Sequence, residues 1–136
     1  MSENKTLFIA TVGIGTNQED DITKPLIKSI SEANPSYLLL FATNHSKDNA
    51  QKILNELKRT SDNSCVHIIS NKDHLQDIFK EMNDKITELL KQGYDRKSTI
   101  VDFTTGTKPM SAALCLVAIK SFPGSANKTL HNPTKF

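Results

Sequence analysis

Hydrophobic positions along the chain come in short unbroken runs that alternate with longer stretches where they recur every three or four residues. The runs are residues 6–12, 37–42, 65–69 and 98–103, each of strand length. Residues 37–42 (YLLLFA) carry no charged side chain, the composition of a parallel strand buried on both faces. Between the runs the spacing is helical. Ile22, Leu26, Ile27 and Ile30 share one side of residues 22–33, and Ala50, Ile53, Leu54 and Leu57 share one side of residues 46–59. The longest such stretch, residues 73–92, aligns Leu75, Ile78, Phe79, Met82, Ile86, Leu89 and Leu90, with Gly93 as its stop. A fourth helix is expected over residues 110–119.

Strand and helix in strict alternation predict an α/β fold: a Rossmann-like parallel sheet of about four strands, in the order 3-2-1-4, with helices on both faces. Residues 1–121 are expected to form this one domain. Residues 122–136 show no strand or helix period and are expected to be an irregular, mobile tail, so that the sheet stops short after the fourth helix. In such sheets ligands bind beyond the carboxyl ends of the strands. The four loops at that end, residues 13–19, 43–46, 70–73 and 104–108, are rich in small and polar residues.

Most chemistry is concentrated in the last of these loops, Asp102-Phe103-Thr104-Thr105-Gly106-Thr107-Lys108-Pro109-Met110-Ser111. A strand ending in an acid, a turn of threonines and glycine, and a lysine at the mouth of a helix together make an anion site. Backbone N–H groups and the positive end of the helix dipole converge there. Part of the pattern is ordinary helix-start chemistry, with Thr107 as cap and Pro109 in the first turn. The Walker A spacing is absent, which disfavours P-loop ATP hydrolysis. The first loop, Thr11-Val12-Gly13-Ile14-Gly15-Thr16-Asn17, offers two glycines for close backbone approach and lacks the third glycine of a dinucleotide fingerprint. After the second strand, Ser46 reads as a helix cap, which leaves Asn44 and His45 to face the ligand side. His45 has no acid or nucleophile near it in sequence and is expected to be a solvated side chain. Asp102 is expected to accept hydrogen bonds from turn amides and not to act in catalysis.

Charge and composition narrow the ligand. The 136 residues carry a net charge of +2, too little to hold long nucleic acid through a basic face. A small anion held locally fits better. No run is long and apolar enough to cross a bilayer. Two cysteines, Cys65 and Cys115, read as buried thiols rather than a disulfide, which suggests a cytoplasmic setting. The histidines show no metal-ligand spacing, and no metal or cofactor is expected. Ala42-Thr43-Asn44 lacks the acid that a ribose-binding dinucleotide site needs, so NAD is disfavoured.

The fourth-strand motif Val-Asp-Phe-Thr-Thr-Gly-Thr-Lys-Pro-Met-Ser-Ala-Ala-Leu, together with Thr-Val-Gly-Ile-Gly-Thr at the first strand, resembles the CRISPR-associated Rossmann fold (CARF) domains. The resemblance spans about residues 6–119. It implies a homodimer whose two-fold pocket binds a cyclic oligoadenylate, the second messenger of type III CRISPR complexes. By that likeness Gly13, Ile14, Gly15 and Thr16 line one side, and Thr104, Thr105, Gly106, Thr107, Lys108 and Met110 the other. Asn44 and Ser46 match the second-strand loop loosely. Thr105-Gly106 stands where the family has a glycine pair, which is expected to add a side chain near the ligand.

A two-fold site meets a two-fold ligand with the same loops twice. If the ring is cleaved, its own 2′-hydroxyl can attack the neighbouring phosphate, with Lys108 and Thr107 as the candidate groups stabilising charge and no metal required. The leading expectation is a sensor, stand-alone or shortened, that binds the messenger and has slow ring-nuclease activity at most. The alternatives are a dedicated ring nuclease and an unrelated small nucleotide-binding α/β protein.

Overall fold

The computed structural model describes residues 5–14, 21–70 and 74–122, together with the backbone of residues 130–131. Its elements, in chain order, are β1 (Leu7–Thr11), α1 (Thr23–Ala33), β2 (Tyr37–Ala42), α2 (Lys47–Glu56), β3 (Ser64–Ile68), α3 (Leu75–Leu90), β4 (Ile100–Asp102), α4 (Lys108–Ser121) and β5 (Leu130–His131). All pairings are parallel and the sheet order is β3-β2-β1-β4-β5. The expected order 3-2-1-4 is therefore present. Two residues of the segment expected to be irregular extend it, because β5 pairs with the outer edge of β4, Val101 opposite Leu130 and Asp102 opposite His131. A two-residue strand is too short to show any alternation, so no pattern announced it.

Strand geometry divides the core between the two faces. Leu7 and Ile9 of β1 and Leu39 and Phe41 of β2 pack with α3 and α4, through Ile78, Met82, Ile86, Leu114 and Val117. Their alternate neighbours, Phe8, Ala10, Leu38, Leu40 and Ala42, pack with α1 and α2, through Leu26, Ile30, Ala50, Ile53 and Leu54. Successive side chains of a strand point to opposite faces, so a strand covered twice must be apolar throughout. β1 and β2 are buried at every position but Tyr37.

Element ends differ from the periodicity where a local polar contact wins. β4 begins at Ile100, not residue 98, because Asp95 organises a turn: Ser98 donates to its carboxylate at 3.0 Å and Thr99 to its carbonyl at 2.7 Å. α2 ends at Glu56, short of residue 59, with Lys58 in the left-handed region at φ 57°. Gly93, at φ 97°, stands three residues beyond the end of α3, consistent with the expected stop. α4 runs two residues further than expected at each end. Both cysteines are free, and both are half-buried, not fully buried.

Candidate functional site

Because β1 and β4 are adjacent and parallel, the loops that follow them leave the sheet side by side. They touch through glycine. A Cβ on Gly13 would lie 2.6 Å from the Gly106 nitrogen and 3.0 Å from its Cα, so only glycine lets the two backbones approach this closely. Gly106 itself sits at φ 107°, and a Cβ there would meet Thr11 Cβ at 3.0 Å.

Thr105 ties the two loops together. Its hydroxyl donates to the Thr11 carbonyl at 2.8 Å and accepts from Gly13 N–H at 3.2 Å, while the Thr11 hydroxyl donates to the Thr105 carbonyl. Ser111 also donates to that carbonyl, at 3.3 Å. The Thr105 side chain, expected to stand beside a ligand, thus serves the loop junction. Thr104 is held from the other direction: its N–H and hydroxyl donate to Asp102 Oδ1 at 3.0 and 2.6 Å. The buried Asp102 carboxylate is a turn acceptor, as expected from its place at the strand end.

Thr107 caps α4, its oxygen accepting from Met110 N–H at 3.2 Å, with Pro109 in the first turn. That bond uses a lone pair of Thr107 and leaves its O–H free to donate. The N–H groups of Thr105, Gly106 and Thr107 meet no acceptor among the described residues. Unpaired amides at the positive end of a 14-residue helix are an anion-binding arrangement. Lys108 is exposed at the first position of α4 and makes no ion pair among the described residues.

Thr104, Thr105, Gly106 and Thr107 line a cleft of about 550 Å³ at the carboxyl edge of the sheet. Val12, Gly13, Ile14 and Ile22 also line it, with Thr43, His45 and Ser46 of the β2–α2 turn. Ile14 is 64% exposed, a large apolar side chain left uncovered beside polar donors. The cleft therefore combines amide and hydroxyl groups with apolar surface and an imidazole.

Of the residues expected at the site, Gly13, Ile14, Ser46, Thr104, Thr105, Gly106 and Thr107 line this cleft. Gly15 and Thr16 lie outside the described residues. Lys108 borders the cleft without lining it, and Asn44 is exposed outside it. Met110 is wholly buried in the core beneath Gly106, so it supports the loop from below. Ser46 is the N-cap residue of α2, as expected, but its side chain makes no capping bond. Its oxygen reaches back to accept from Thr43 N–H at 2.9 Å, closing the turn that carries His45.

His45 lines the cleft, on the ligand side where its place in the loop after β2 put it. Sequence reasoning passed over two residues here. Ile22 was read as a helix-face residue, yet α1 starts only at Thr23 and Ile22 turns to the cleft. Asn49 donates to the Gly13 carbonyl at 2.9 Å, a contact between elements that no local spacing reveals. Away from the cleft, His67 Nε2 pairs with Glu81 Oε2 at 2.7 Å and Ser70 donates to Glu81 Oε1 at 3.0 Å, tying β3 to α3. Among the described residues no group of three or more His, Cys, Asp or Glu could hold a metal ion, and no helix is long and apolar enough to cross a membrane.

Comparison with known proteins places this geometry in context. A family model described as the Card1 CARF domain matches residues 21–126. No curated protein matches. Among solved structures, Can2 from Sulfobacillus thermosulfidooxidans, in complex with cyclic tetra-adenylate, is similar with a TM-score of 0.57 at 16% identity. That likeness covers 88% of this chain and 30% of Can2. Csm6 from Enterococcus italicus, bound to cyclic hexa-2′-fluoro-hexa-dAMP, is similar with a TM-score of 0.61 at 12% identity, over 90% of this chain and 32% of Csm6. The chain thus spans about a third of each neighbour's length, and at these identities the likeness is one of fold.

Proposed function

We propose that this chain, which belongs to the Card1 CARF domain family, binds a cyclic oligoadenylate in the cleft at the carboxyl edge of its sheet and acts as a sensor in type III CRISPR defence. The observation that carries the reading is that the N–H groups of Thr105, Gly106 and Thr107 at the α4 N-terminus meet no acceptor among the described residues, in a cleft that Ile14 and Ile22 also line. A nucleotide needs both: donors for its phosphate oxygens and apolar surface for its base. The ligands named for Can2 and Csm6 are cyclic oligonucleotides, which supports the class.

The sensor works as a homodimer in the cytoplasm. A ring with two-fold symmetry is matched by two copies of one cleft, each presenting Lys108 to an equivalent phosphate. The outer face of α4 leaves Leu116 and Ile119 46% and 53% exposed, apolar surface of the kind a second copy covers. Binding proceeds by replacing water on the phosphates with fixed amide donors, which are already oriented because Thr105 and Asp102 hold the loop.

Calorimetry with cyclic tri-, tetra- and hexa-adenylate and with the matching linear oligomers tests the reading, followed by chromatography of the recovered ligand. Tighter binding of one ring than of its linear form is expected, with the ring recovered intact or slowly opened. Rapid opening would make the chain a dedicated ring nuclease, and equal weak binding of all forms would refute the assignment.

A further inference from the structure

Two side chains of α2, one helical turn apart, grip the two stems of the connection between β1 and α1. The Asn49 amide donates to the Gly13 carbonyl at 2.9 Å, and the Lys52 ammonium donates to Asp21 Oδ2 at 2.9 Å. The three-residue spacing puts them on one face of the helix. That face is separate from the stripe of Ala50, Ile53 and Leu54 that anchors α2 to the sheet. Neither contact helps α2 to be a helix, since neither acceptor belongs to it.

Each gripped residue sits immediately before an isoleucine that lines the cleft. Gly13 precedes Ile14, and Asp21 precedes Ile22; both isoleucines line the cleft. Gly13 is held on both sides, its carbonyl by Asn49 and its N–H by the Thr105 hydroxyl. Asp21 is likewise held twice. Its Oδ1 accepts from Thr23 N–H at 3.0 Å and from the Thr23 hydroxyl, which fixes the start of α1, and its Oδ2 takes Lys52.

We propose that Asn49 and Lys52 are positioning residues for the cleft, setting the separation of Ile14 and Ile22 by holding the residue before each. The proposal rests on the reading of the cleft as a cyclic oligoadenylate site, and it states what gives that site its apolar surface. Neither side chain lines the cleft, so neither acts by touching the ligand. The two grips differ in kind. The Asn49 bond is neutral and part-buried, whereas the Lys52–Asp21 pair is partly exposed and weakens as salt rises.

The test uses the full chain with cyclic tetra-adenylate and cyclic hexa-adenylate as probes, and compares Asn49→Ala, Lys52→Met, Lys52→Arg and Asp21→Asn with the parent. Losing one such bond should weaken binding about three- to tenfold, with little change in melting midpoint. Lys52→Arg should restore the affinity lost in Lys52→Met. Asp21→Asn separates positioning from simple electrostatics: removing a negative charge would tighten binding of an anion, whereas a loosened stem weakens it. Without ligand, amide exchange at Gly13, whose N–H is held by Thr105, should accelerate in Asn49→Ala while β2 stays protected. A parent that binds no cyclic oligoadenylate overturns the ligand reading alone. Unchanged exchange at Gly13 in Asn49→Ala overturns the positioning role whatever the parent binds, and with a parent that binds, so does Asp21→Asn binding as tightly as the parent.

Discussion

Gly13→Ala probes the junction of the two loops with a single methyl group. Gly13 does not require a left-handed backbone, so alanine is permitted by φ and ψ, and the obstacle is contact alone: 2.6 Å from the new Cβ to the Gly106 nitrogen. The obstructing atom is backbone, held by the Thr105 bonds on one side and the start of α4 on the other, so it cannot swing away as a flexible side chain would. Overpacking of this kind costs about 1–3 kcal/mol. Stiffening the unfolded chain by replacing glycine returns about 0.4–1 kcal/mol. The net expectation is a loss of about 1–2 kcal/mol. For 136 residues the unfolding entropy is about 0.3 kcal/mol per kelvin, so the midpoint should fall by about 3–7 °C. Differential scanning calorimetry measures this, and calorimetric titration should show weaker ligand binding in the same variant. Gly93→Ala is the comparison: its glycine is at φ 97° with no atom within 4 Å of the new Cβ, so it should lose stability through backbone strain and keep its affinity. A Gly13→Ala protein as stable as the parent would show that the loops are not in contact as described.

Three other outcomes follow from the same geometry. Thr105→Val keeps the shape but removes the hydroxyl that serves Thr11 and Gly13, and should cost about 1–2 kcal/mol in denaturant unfolding. Thr105→Ser should stay near the parent, and a serine variant as weak as valine would refute the hydrogen-bond account. In the proposed homodimer, Lys108→Ala should lower cyclic oligoadenylate affinity by more than about tenfold, because each copy would lose a charge-assisted bond worth about 1.5–3 kcal/mol. The melting midpoint should barely move, and undiminished affinity would remove Lys108 from the site. The third concerns pH. Hydrogen bonds from Thr23 and Lys52 hold the Asp21 carboxyl well below the usual carboxylate range. A depressed folded-state pKa means that its contribution to stability is present above the unfolded value and is lost only as pH falls through the folded one. Carboxyl NMR should therefore show Asp21 still ionised at about pH 3, and a titration step near the ordinary value of about 3.9 would refute the contacts.

The sheet was legible because burial on both faces leaves a plain mark: residues 37–42 could only be an inner strand, and the helical stripes fixed which faces met it. The threonine-rich loop was legible as a place where donors gather, since the strand-turn-helix order puts amides at a helix N-terminus. What each threonine does there was not. Thr104, Thr105 and Thr107 have the same side chain, and only their distances to Asp102, Thr11 and Met110 assign one to a turn, one to a loop junction and one to a cap. Asn49 and Ile22 were hidden for the same reason, because their roles come from contact across elements and not from spacing along one. Ser46 had the right identity and place for a cap, and the turn after β2 claimed its oxygen first.

The sheet is unevenly sewn. β1 and β2 are registered over five residue pairs, β1 and β4 over three, and β4 and β5 over two. Opening of the native state runs cheapest where the fewest backbone bonds and buried contacts must be broken, and here that is the β4–β5 side. The loop of Thr104 to Thr107 hangs from this thin side, while the loop of Gly13 hangs from the thick one. A molecule that grips both loops at once spans the seam between the more and the less firmly paired parts of the described sheet. Its energetic effect is thus largest on partial unfolding, so occupancy of the cleft will be felt first as resistance to protease at the β4 edge, well before any change in the core.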